Sequence, residues 1–200
     1  EIRTPAPAVT AGRTLLAAGD YGNFRLTGEA LTQPGAQAAL LFHTDGESGY
    51  EVVFRNGAID GTRKSGSLAS VRNLYRSLAD DGEWFGFEVT VRGRNIVVRI
   101  DTTEVVCYTE PEHPYRTQAH ARQLLGHGAI ALRGVQGEVA FRNLPTERVG
   151  GQALAVNVHQ RAGNAAVLQD RPRAEVAGVL DGRHAVAEQV CQAPEQILNA

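Results

Sequence analysis

Apolar and polar residues alternate with a period of two between residues 24 and 144, and this pattern constrains the fold more than any other feature of the chain. In FRLTGEALT (24–32), apolar or small residues at every second position alternate with arginine, threonine and glutamate. FEVTVRG and NIVVRID (87–93 and 95–101) repeat the pattern around a turn at Gly93 and predict a β-hairpin. Successive side chains of a strand point to opposite faces, so each segment has one apolar and one polar face.

Four further stretches have strand character: YEVVFRN (50–56), EVVCY (104–108), GAIALRG (128–134) and EVAFRN (138–143). Many short strands with glycine-rich connections are typical of an all-β protein, and we predict an antiparallel β-sandwich rather than a parallel α/β sheet. Helical spacing of leucine and valine predicts one short helix over 67–78. A second is expected over 116–126, with Gly126 as its C-cap.

Three regions are expected from the change in composition along the chain. Residues 1–20 form an N-terminal extension, 21–149 the sandwich and 150–200 a C-terminal tail. The tail is rich in alanine, glycine and glutamine and holds no aromatic residue. Its alternating stretch at 153–159 predicts a strand, and 184–190 suits a short helix. Without aromatic anchors it cannot form its own core, so we expect it to dock on its own subunit or on a neighbour.

Composition excludes several function classes. A net charge of −2 and a pI near 6.3 give no electrostatic footprint for nucleic acid. No apolar stretch reaches the roughly 18 residues that a membrane span needs.

The sequence has no methionine, so we expect Glu1 to follow a cleaved signal peptide and the protein to be secreted, periplasmic or on the cell surface.

The two cysteines, Cys107 and Cys191, are far apart and form no CxxC pair, so a zinc site is not expected. They are either a single disulfide of an exported protein or two buried thiols. No nucleotide-binding fingerprint or nucleophile elbow is present, and we expect no cofactor.

The stretch HTDGESGYEVVF (43–54) is first a turn between two strands, because Asp and Gly are what tight turns require. It lacks the alternating ligands and closing glutamate of an EF-hand loop. Glu51, next to Tyr50, is expected on the face opposite the core. If that face binds sugars, His43 and Glu51 would stand on it together and could perform acid–base chemistry or hold hydroxyl groups.

A second concentration of polar residues lies in YTEPEHPYRTQAHARQLLGHG (108–128), which is too long for a tight turn. The histidine spacings match no metal motif, so we predict no metal site. Its polar residues are Glu110, Glu112, His113, Tyr115, Arg116, His120 and His127. Trp84, the only tryptophan, is either a core anchor at the rim of the sandwich or a platform on which a sugar stacks.

Five ordered stretches together resemble the 3-keto-disaccharide hydrolase domain family: 21–54, 61–75, 81–101, 105–111 and 128–144. The resemblance runs from Tyr21 to Arg148 and implies a concanavalin A-like jelly roll acting on oxidised glycosides. The ketone at carbon 3 of such sugars acidifies the neighbouring C–H bond, so cleavage by elimination needs one base and one acid.

The same resemblance implies roles for individual residues. Glu51 of the GYE motif and His43 at the end of LLFH are the candidate base and acid. Arg72, Tyr75 and Arg116 would bind hydroxyl groups of a carbohydrate, and Trp84 is a further candidate for substrate binding.

Three departures from the family pattern support two alternative functions. AQAAL (36–40) stands where the family has a polar NSG, and LRGVQG (132–137) lacks its histidine; both favour a non-catalytic carbohydrate-binding module. The family's usual aromatic N-terminal strand is missing, and the predicted strand at 153–159 could fill the gap in its own or the next subunit. Exchange between subunits would build an extracellular filament, which a Cys107–Cys191 bond could fasten.

Overall fold

The computed structural model describes residues 8–57 and 61–149 of the chain, together with the backbone of two later strands at 153–159 and 165–171. The described elements are nearly all strands: β1 (Ala8–Thr10), β2 (Thr14–Tyr21), β3 (Phe24–Thr32), β4 (Gln37–Thr44), β5 (Tyr50–Phe54), β6 (Trp84–Arg92), β7 (Asn95–Ile100), β8 (Thr103–Thr109), β9 (Gly128–Gln136), β10 (Glu138–Arg142), β11 (Pro145–Arg148), β12 (Ala153–His159) and β13 (Ala165–Arg171). One 3-10 helix, Gln118–His120, interrupts the connection between β8 and β9.

Hydrogen bonding links the strands in the order β5-β4-β9-β2-β13-β12-β11-β3-β6-β7-β8, and β10 pairs with both β1 and β3. This path folds back so that strands β5, β4, β9 and β2, here called the first sheet, face strands β3, β6, β7 and β8, the second sheet. Aromatic contacts join the two sheets: the ring centroids of Phe24 and Phe42 are 5.6 Å apart, and those of Phe54 and Phe87 are 4.8 Å apart. The predicted β-sandwich is confirmed.

The alternating pattern of the sequence explains how the strands fill the core. Every second residue of β3 and β6 is buried, and the hairpin predicted around Gly93 joins β6 to β7 with Arg92 opposite Asn95. Gly93 has a φ of 57°, a conformation that glycine adopts without steric cost. The apolar face of each strand therefore supplies the layer between the sheets.

The helix predicted over 67–78 is wrong. Leu68 pairs with Val52 and Arg72 in isolated β-bridges, and Ser70 has a φ of 63°, which lies outside the helical region. These residues instead run along the edge of β5, where the Val53 amide donates to the Ser67 carbonyl at 3.0 Å. The helix predicted over 116–126 is reduced to the short 3-10 turn, and the one predicted over 184–190 lies outside the described residues.

The N-terminal segment expected as an extension contributes two strands to the sandwich. β1 pairs with β10 and β2 pairs with β9, both antiparallel. The strand predicted at 153–159 is present as β12 and pairs with β11 and β13 of its own chain, while β13 runs parallel to β2. These strands join the first and second sheets along one side of the molecule.

Cys107 of β8 is disulfide-bonded. Cys191, the only other cysteine of the sequence, lies outside the described residues, so its predicted pairing with Cys107 stays a prediction. In the part of the chain that the structure describes, no helix has the length and apolar character to cross a membrane.

Candidate active-site cleft

The turn between β4 and β5 directs Glu51 away from the core. One Asp45 carboxylate oxygen accepts hydrogen bonds from the amides of Glu47 and Ser48, at 3.0 and 3.1 Å, which fixes the turn. In β5, the two neighbours of Glu51 in the chain are fully buried in the core. Because strand residues alternate between faces, Glu51 projects from the outer face of the first sheet, as predicted.

Glu51 lines a cleft of about 350 Å³ on this outer face. Two segments form its walls, the β4–β5 turn with the start of β5 and the connection around the 3-10 helix. The lining residues are Glu47, Ser48, Gly49, Glu51, Gln118, Ala119, His120, Ala121, Arg122 and Gln123. The cleft therefore combines carboxylates, an imidazole and a guanidinium, the side-chain types that acid–base chemistry and hydroxyl binding use.

Arg133 of β9 holds the Glu51 carboxylate in place. The two side chains form an ion pair, and about a quarter of each is exposed. A second guanidinium nitrogen of Arg133 donates to the Glu47 carbonyl at 2.9 Å, so one arginine fixes both Glu51 and the turn beside it. The bond to Glu47 anchors the guanidinium, and the anchored guanidinium in turn gives the Glu51 carboxylate a defined direction.

Small and apolar residues form the outer face next to Glu51. Leu41 lies opposite Glu51 on β4, and Ala131 lies opposite Leu41 on β9. Leu41, Ala131 and Ala39 are buried and pack with Leu16. Glu51 and Arg133 therefore supply the polar groups on a largely apolar stretch of this face.

His120 enters the cleft from the 3-10 helix and is held by Ser70. Its Nε2 atom lies 3.2 Å from the Ser70 Oγ atom. Arg63 donates to the same Oγ at 3.2 Å, which leaves the Ser70 hydroxyl hydrogen free to point at Nε2. We assign the proton of the neutral imidazole to Nδ1 on this basis.

His43 does not share the face of Glu51, contrary to the prediction. The register shifts between Phe42 and Thr44, and His43 has a φ of 48°, so this bulge turns its ring toward the core. The ring lies 6.0 Å from that of Phe24 on the second sheet. Alternation alone places His43 outside, and the bulge reverses that direction.

Both ring nitrogens of His43 are hydrogen-bonded. Nε2 lies 2.9 Å from the Gly22 carbonyl, to which it donates, and Nδ1 accepts from the Gly126 amide at 3.1 Å. Burial lowers the pKa of His43 below its ordinary value of 6.5, although the Gly22 hydrogen bond opposes this. The neutral imidazole acts here as a bridge between two loops.

Arg116 belongs to a polar network at the end of the core and does not line the cleft. Its guanidinium donates to the hydroxyls of Tyr50, at 2.7 Å, and Tyr108, at 3.2 Å, and to the Gln123 carbonyl at 2.7 Å. The Tyr50 hydroxyl donates to Glu110. Burial and the adjacent Glu110 raise the Tyr50 pKa, so this phenol stays protonated.

Trp84 lies on the other side of the sandwich. It precedes buried Phe85 in β6, so its side chain is on the outer face of the second sheet. The Arg142 guanidinium lies over its ring, 4.1 Å from the centroid, and forms a two-pronged ion pair with Glu29 at 2.8 and 3.0 Å. Trp84 and Glu51 are therefore on opposite outer faces.

The remaining two candidates lie in the connection between β5 and β6. Arg72 is exposed, and its backbone bonds to Leu68. Tyr75 is also exposed and lines a separate cleft. Of the six predicted substrate and catalytic residues, only Glu51 lines the cleft described above.

The structure adds His120, Arg122 and Arg133 to Glu51. His120 belongs to the polar stretch 108–128, so the sequence marked the segment but gave no reason to prefer this histidine. Arg133 is one of several arginines at alternating strand positions, and a solvent-exposed strand face has the same pattern. Among residues 8–57 and 61–149, no group of three or more His, Cys, Asp and Glu side chains could hold a metal ion.

Comparison with known proteins gives one family and several structural relatives. Residues 3–146 match the profile of the 3-keto-alpha-glucoside-1,2-lyase-like domain. A crystal structure of a candidate glycosyl hydrolase from Parabacteroides distasonis ATCC 8503 is similar with a TM-score of 0.58 and 13% identity, over 67% of this chain and 75% of that one. A second from the same organism has a TM-score of 0.56 and 17% identity, over 68% and 83%. At these identities the likeness shows the fold. The search of curated protein sequences found no match.

Proposed function

Because this chain belongs to the family of 3-keto-alpha-glucoside-1,2-lyase-like domains, we propose that it cleaves the glycosidic bond of 3-keto-glycosides in the cleft around Glu51. The observation that carries this proposal is the position of Glu51. It is a carboxylate oriented by Arg133, on the wall of a cleft that also holds an imidazole. The match at residues 3–146 includes every residue of that cleft.

The reaction is an elimination. Glu51 takes the proton from the carbon between the ketone and the anomeric carbon, where the ketone makes the C–H bond acidic. The electron pair of that bond forms a carbon–carbon double bond as the anomeric C–O bond breaks, and the departing oxygen takes a proton from an acid. The products are an unsaturated keto sugar and a free alcohol. No external oxidant or reductant is required.

His120 is the acid in this proposal, in the role that the sequence resemblance suggested for His43. With Nε2 held by Ser70, His120 performs this step as the imidazolium: it gives the Nδ1 proton to the departing oxygen and returns to the neutral imidazole. Arg133 keeps Glu51 oriented through the proton transfer. The negative charge that develops on the ketone oxygen is placed near Arg122, the cation that lines the same cleft.

The test is an assay of the purified chain on 4-nitrophenyl 3-keto-glucoside, following release of nitrophenol. Glu51→Gln keeps the shape of the side chain but removes the base, and His120→Asn removes the acid. We expect Glu51→Gln to lose about a hundredfold or more in kcat, the usual contribution of a general base. His120→Asn should lose as much on a 3-keto-disaccharide, whose departing sugar oxygen needs a proton, and much less on the nitrophenyl substrate, because nitrophenolate departs without one. Glu112→Gln alters an exposed glutamate of the same connection outside the cleft and serves as the control. Full activity of Glu51→Gln would refute the assignment.

A second candidate is a non-catalytic carbohydrate-binding module in the same cleft. The observation that favours it is the position of His43, the acid that the resemblance implied: its ring is turned toward the core and does not line the cleft with Glu51. On this alternative the wild-type chain forms no product. Calorimetry would then find the same affinity for a neutral glycan in wild type and in Glu51→Gln.

Two further properties belong to the proposal. We expect secretion or exposure at the cell surface, supported by the disulfide at Cys107, since disulfides persist in oxidising compartments. A filament through exchanged tails is the remaining alternative. Because β12 pairs with β11 and β13 of its own chain, a monomer accounts for the tail strands without exchange. Sedimentation of the native protein with and without reductant tests the filament, and the fraction of the protein found outside the cytoplasm of the producing cell tests secretion.

A further inference from the structure

A second cleft, of about 430 Å³, lies at the opposite end of β5 from Glu51. Its lining residues are Asn56, Gly57, Lys64, Tyr75, Arg76, Ser77, Ala79, Asp80 and Asp81. Asn56 and Gly57 follow β5, whereas Glu51 and the turn before it open the other end of that strand. The described linings of the two clefts share no residue.

Asn56 makes the wall of this cleft rigid. Its side-chain amide donates to the Thr32 hydroxyl at 2.9 Å and the Asp80 carbonyl at 3.0 Å. Its side-chain oxygen accepts from the hydroxyls of Ser65, at 2.5 Å, and Ser77, at 2.8 Å. One buried amide therefore fastens three separate segments, and the cleft is formed before any ligand arrives.

The rim of the cleft carries groups that are free for a ligand. Tyr75 is 73% exposed, and its ring lies at the cleft. Within the described residues, the side chains of Arg76 and Asp80 enter no hydrogen bond or ion pair. A buried hydrogen-bond network therefore supports the cleft, and an aromatic ring, a guanidinium and a carboxylate remain free at its rim. This arrangement is typical of a binding site.

The charges select the class of ligand. Two cations, Lys64 and Arg76, and two carboxylates, Asp80 and Asp81, line the cleft, so their formal charges cancel. A phosphate or carboxylate ligand would meet repulsion from the carboxylates, and a cationic ligand would meet repulsion from the cations. A neutral polyol uses both signs, because each hydroxyl donates to a carboxylate and accepts from a guanidinium.

We propose that this second cleft is a saccharide-binding site, in which a pyranose ring stacks on Tyr75 and its hydroxyls bind Arg76 and Asp80. It is separate from the proposed catalytic cleft and takes unoxidised sugar units, since nothing in its chemistry requires a ketone. Its function is to hold a glycan on the protein by a second attachment point. Two linked attachment points raise the overall affinity for a chain long enough to reach both.

The sequence offers a single-signal probe of this cleft, because Lys64 is the only lysine of the chain. Its amide donates to the Leu74 carbonyl at 3.0 Å, next to Tyr75. Protein labelled with 15N-lysine therefore gives one backbone amide signal, which reports on the cleft. The titrants are trehalose, maltotriose and cellotriose, each at up to millimolar concentration.

We expect at least one of these sugars to shift the Lys64 signal in wild type and in Glu51→Gln. Tyr75→Ala should weaken that binding about tenfold or more, and Asp80→Asn should weaken it less. Tyr115→Ala, which removes a more exposed tyrosine outside both clefts, is the matched control and should bind as wild type. Tyr75 is at the surface, so an unchanged unfolding midpoint checks that its variant is folded.

Two results would overturn the proposal. The first is that none of the three sugars shifts the Lys64 signal, and the second is that the shift persists in Tyr75→Ala. A shift abolished by Glu51→Gln would assign the binding to the catalytic cleft instead. Loss of activity on 3-keto-glucoside in Glu51→Gln tests the proposed function separately, so the two proposals can fail independently.

Discussion

The Oγ atom of Ser70 lies 3.2 Å from the Nε2 atom of His120, and this contact joins the edge of β5 to the segment around the 3-10 helix. Ser70 has a φ of 63°, an uncommon conformation for a residue other than glycine. Its amide is held by the Asn73 side chain at 3.2 Å. Backbone strain of this kind persists where surrounding contacts fix it, and it often accompanies function.

Ser70→Ala should lower activity by releasing His120. The hydrogen bond contributes about 1 kcal/mol net, so we expect kcat on 3-keto-glucoside to fall about five- to tenfold with little change in KM.

Ser70→Gly separates this role from folding. Glycine removes the same Oγ but relieves the strain at positive φ, so its unfolding midpoint should equal or exceed that of the alanine variant. Equal loss of activity in both variants supports a positioning role. If Ser70→Gly kept wild-type kcat, Ser70 would have no part in placing His120.

Tyr50→Phe should destabilise the protein although the aromatic ring stays in the core. The phenol is buried, donates to Glu110 and accepts from Arg116 at 2.7 Å, so its loss leaves two charged groups each short of a partner. We expect a loss of about 1–3 kcal/mol in the free energy of unfolding, measured by urea denaturation. Tyr115→Phe, at an exposed position, should change it by no more than a few tenths. Equal midpoints for the two variants would contradict this account of the network.

His43 should make stability depend on pH. Its folded-state pKa is lowered, so below 6.5 the unfolded chain binds the proton more readily than the folded chain does. The contribution is fully present above pH 6.5 and is lost as the pH falls from there through the folded-state pKa. Protonation also sets a second N–H against the Gly126 amide that now donates to Nδ1.

The matching variant is His43→Asn, since asparagine tolerates a positive φ. It should be less stable than wild type at pH 8, and the difference should shrink at about pH 5. Comparison of the two proteins cancels the titration of all other groups. A difference in unfolding free energy that stays constant over this range would show that His43 does not titrate on unfolding.

Much of the fold follows from the sequence because the alternating pattern is local. β3, the β6–β7 hairpin and the turn between β4 and β5 lie where the pattern and the turn residues predict them. The leucine spacing over 67–78 led to a wrong helix prediction, because helical spacing also arises in an irregular segment bound to a strand edge. Only tertiary pairing, as at Leu68, distinguishes the two.

The candidate site was less predictable because it depends on which partner each side chain finds. The bulge at His43 turns its own side chain toward the core. Arg116 binds Tyr50 and Glu110, but the segment that contains it has many other polar residues, and the sequence does not indicate which of them makes these bonds. The sequence left Trp84 open as a core anchor or a platform for a sugar. The structure places its ring on the outer face of the second sheet, beneath Arg142 and away from Glu51.

Trp84 supplies an optical test of that separation, because it is the only tryptophan. Binding of a sugar in the Glu51 cleft should leave its fluorescence unchanged, since the ring lies on the other sheet beneath Arg142. Arg142→Ala removes the cation above the ring and should alter the emission without changing activity. A sugar-induced change in emission that depends on Glu51 would contradict the separation of the two faces.

Gly134 tests whether the N-terminal residues belong to the sandwich. An added Cβ would lie 2.0 Å from the Thr10 carbonyl oxygen, where the backbone of the segment after β1 crosses β9. Gly134→Ala should therefore push this segment away and reduce the unfolding free energy by at least about 1–3 kcal/mol. Gly126→Ala, where nothing lies within 4 Å of the new Cβ, is the control and should cost far less.

Limited proteolysis should then cut near Thr10 faster in Gly134→Ala than in wild type, because the Gly134 amide loses its 2.8 Å bond to Arg13. Unchanged stability and unchanged cleavage would mean that residues 8–13 only rest on the sandwich and contribute nothing to its folding.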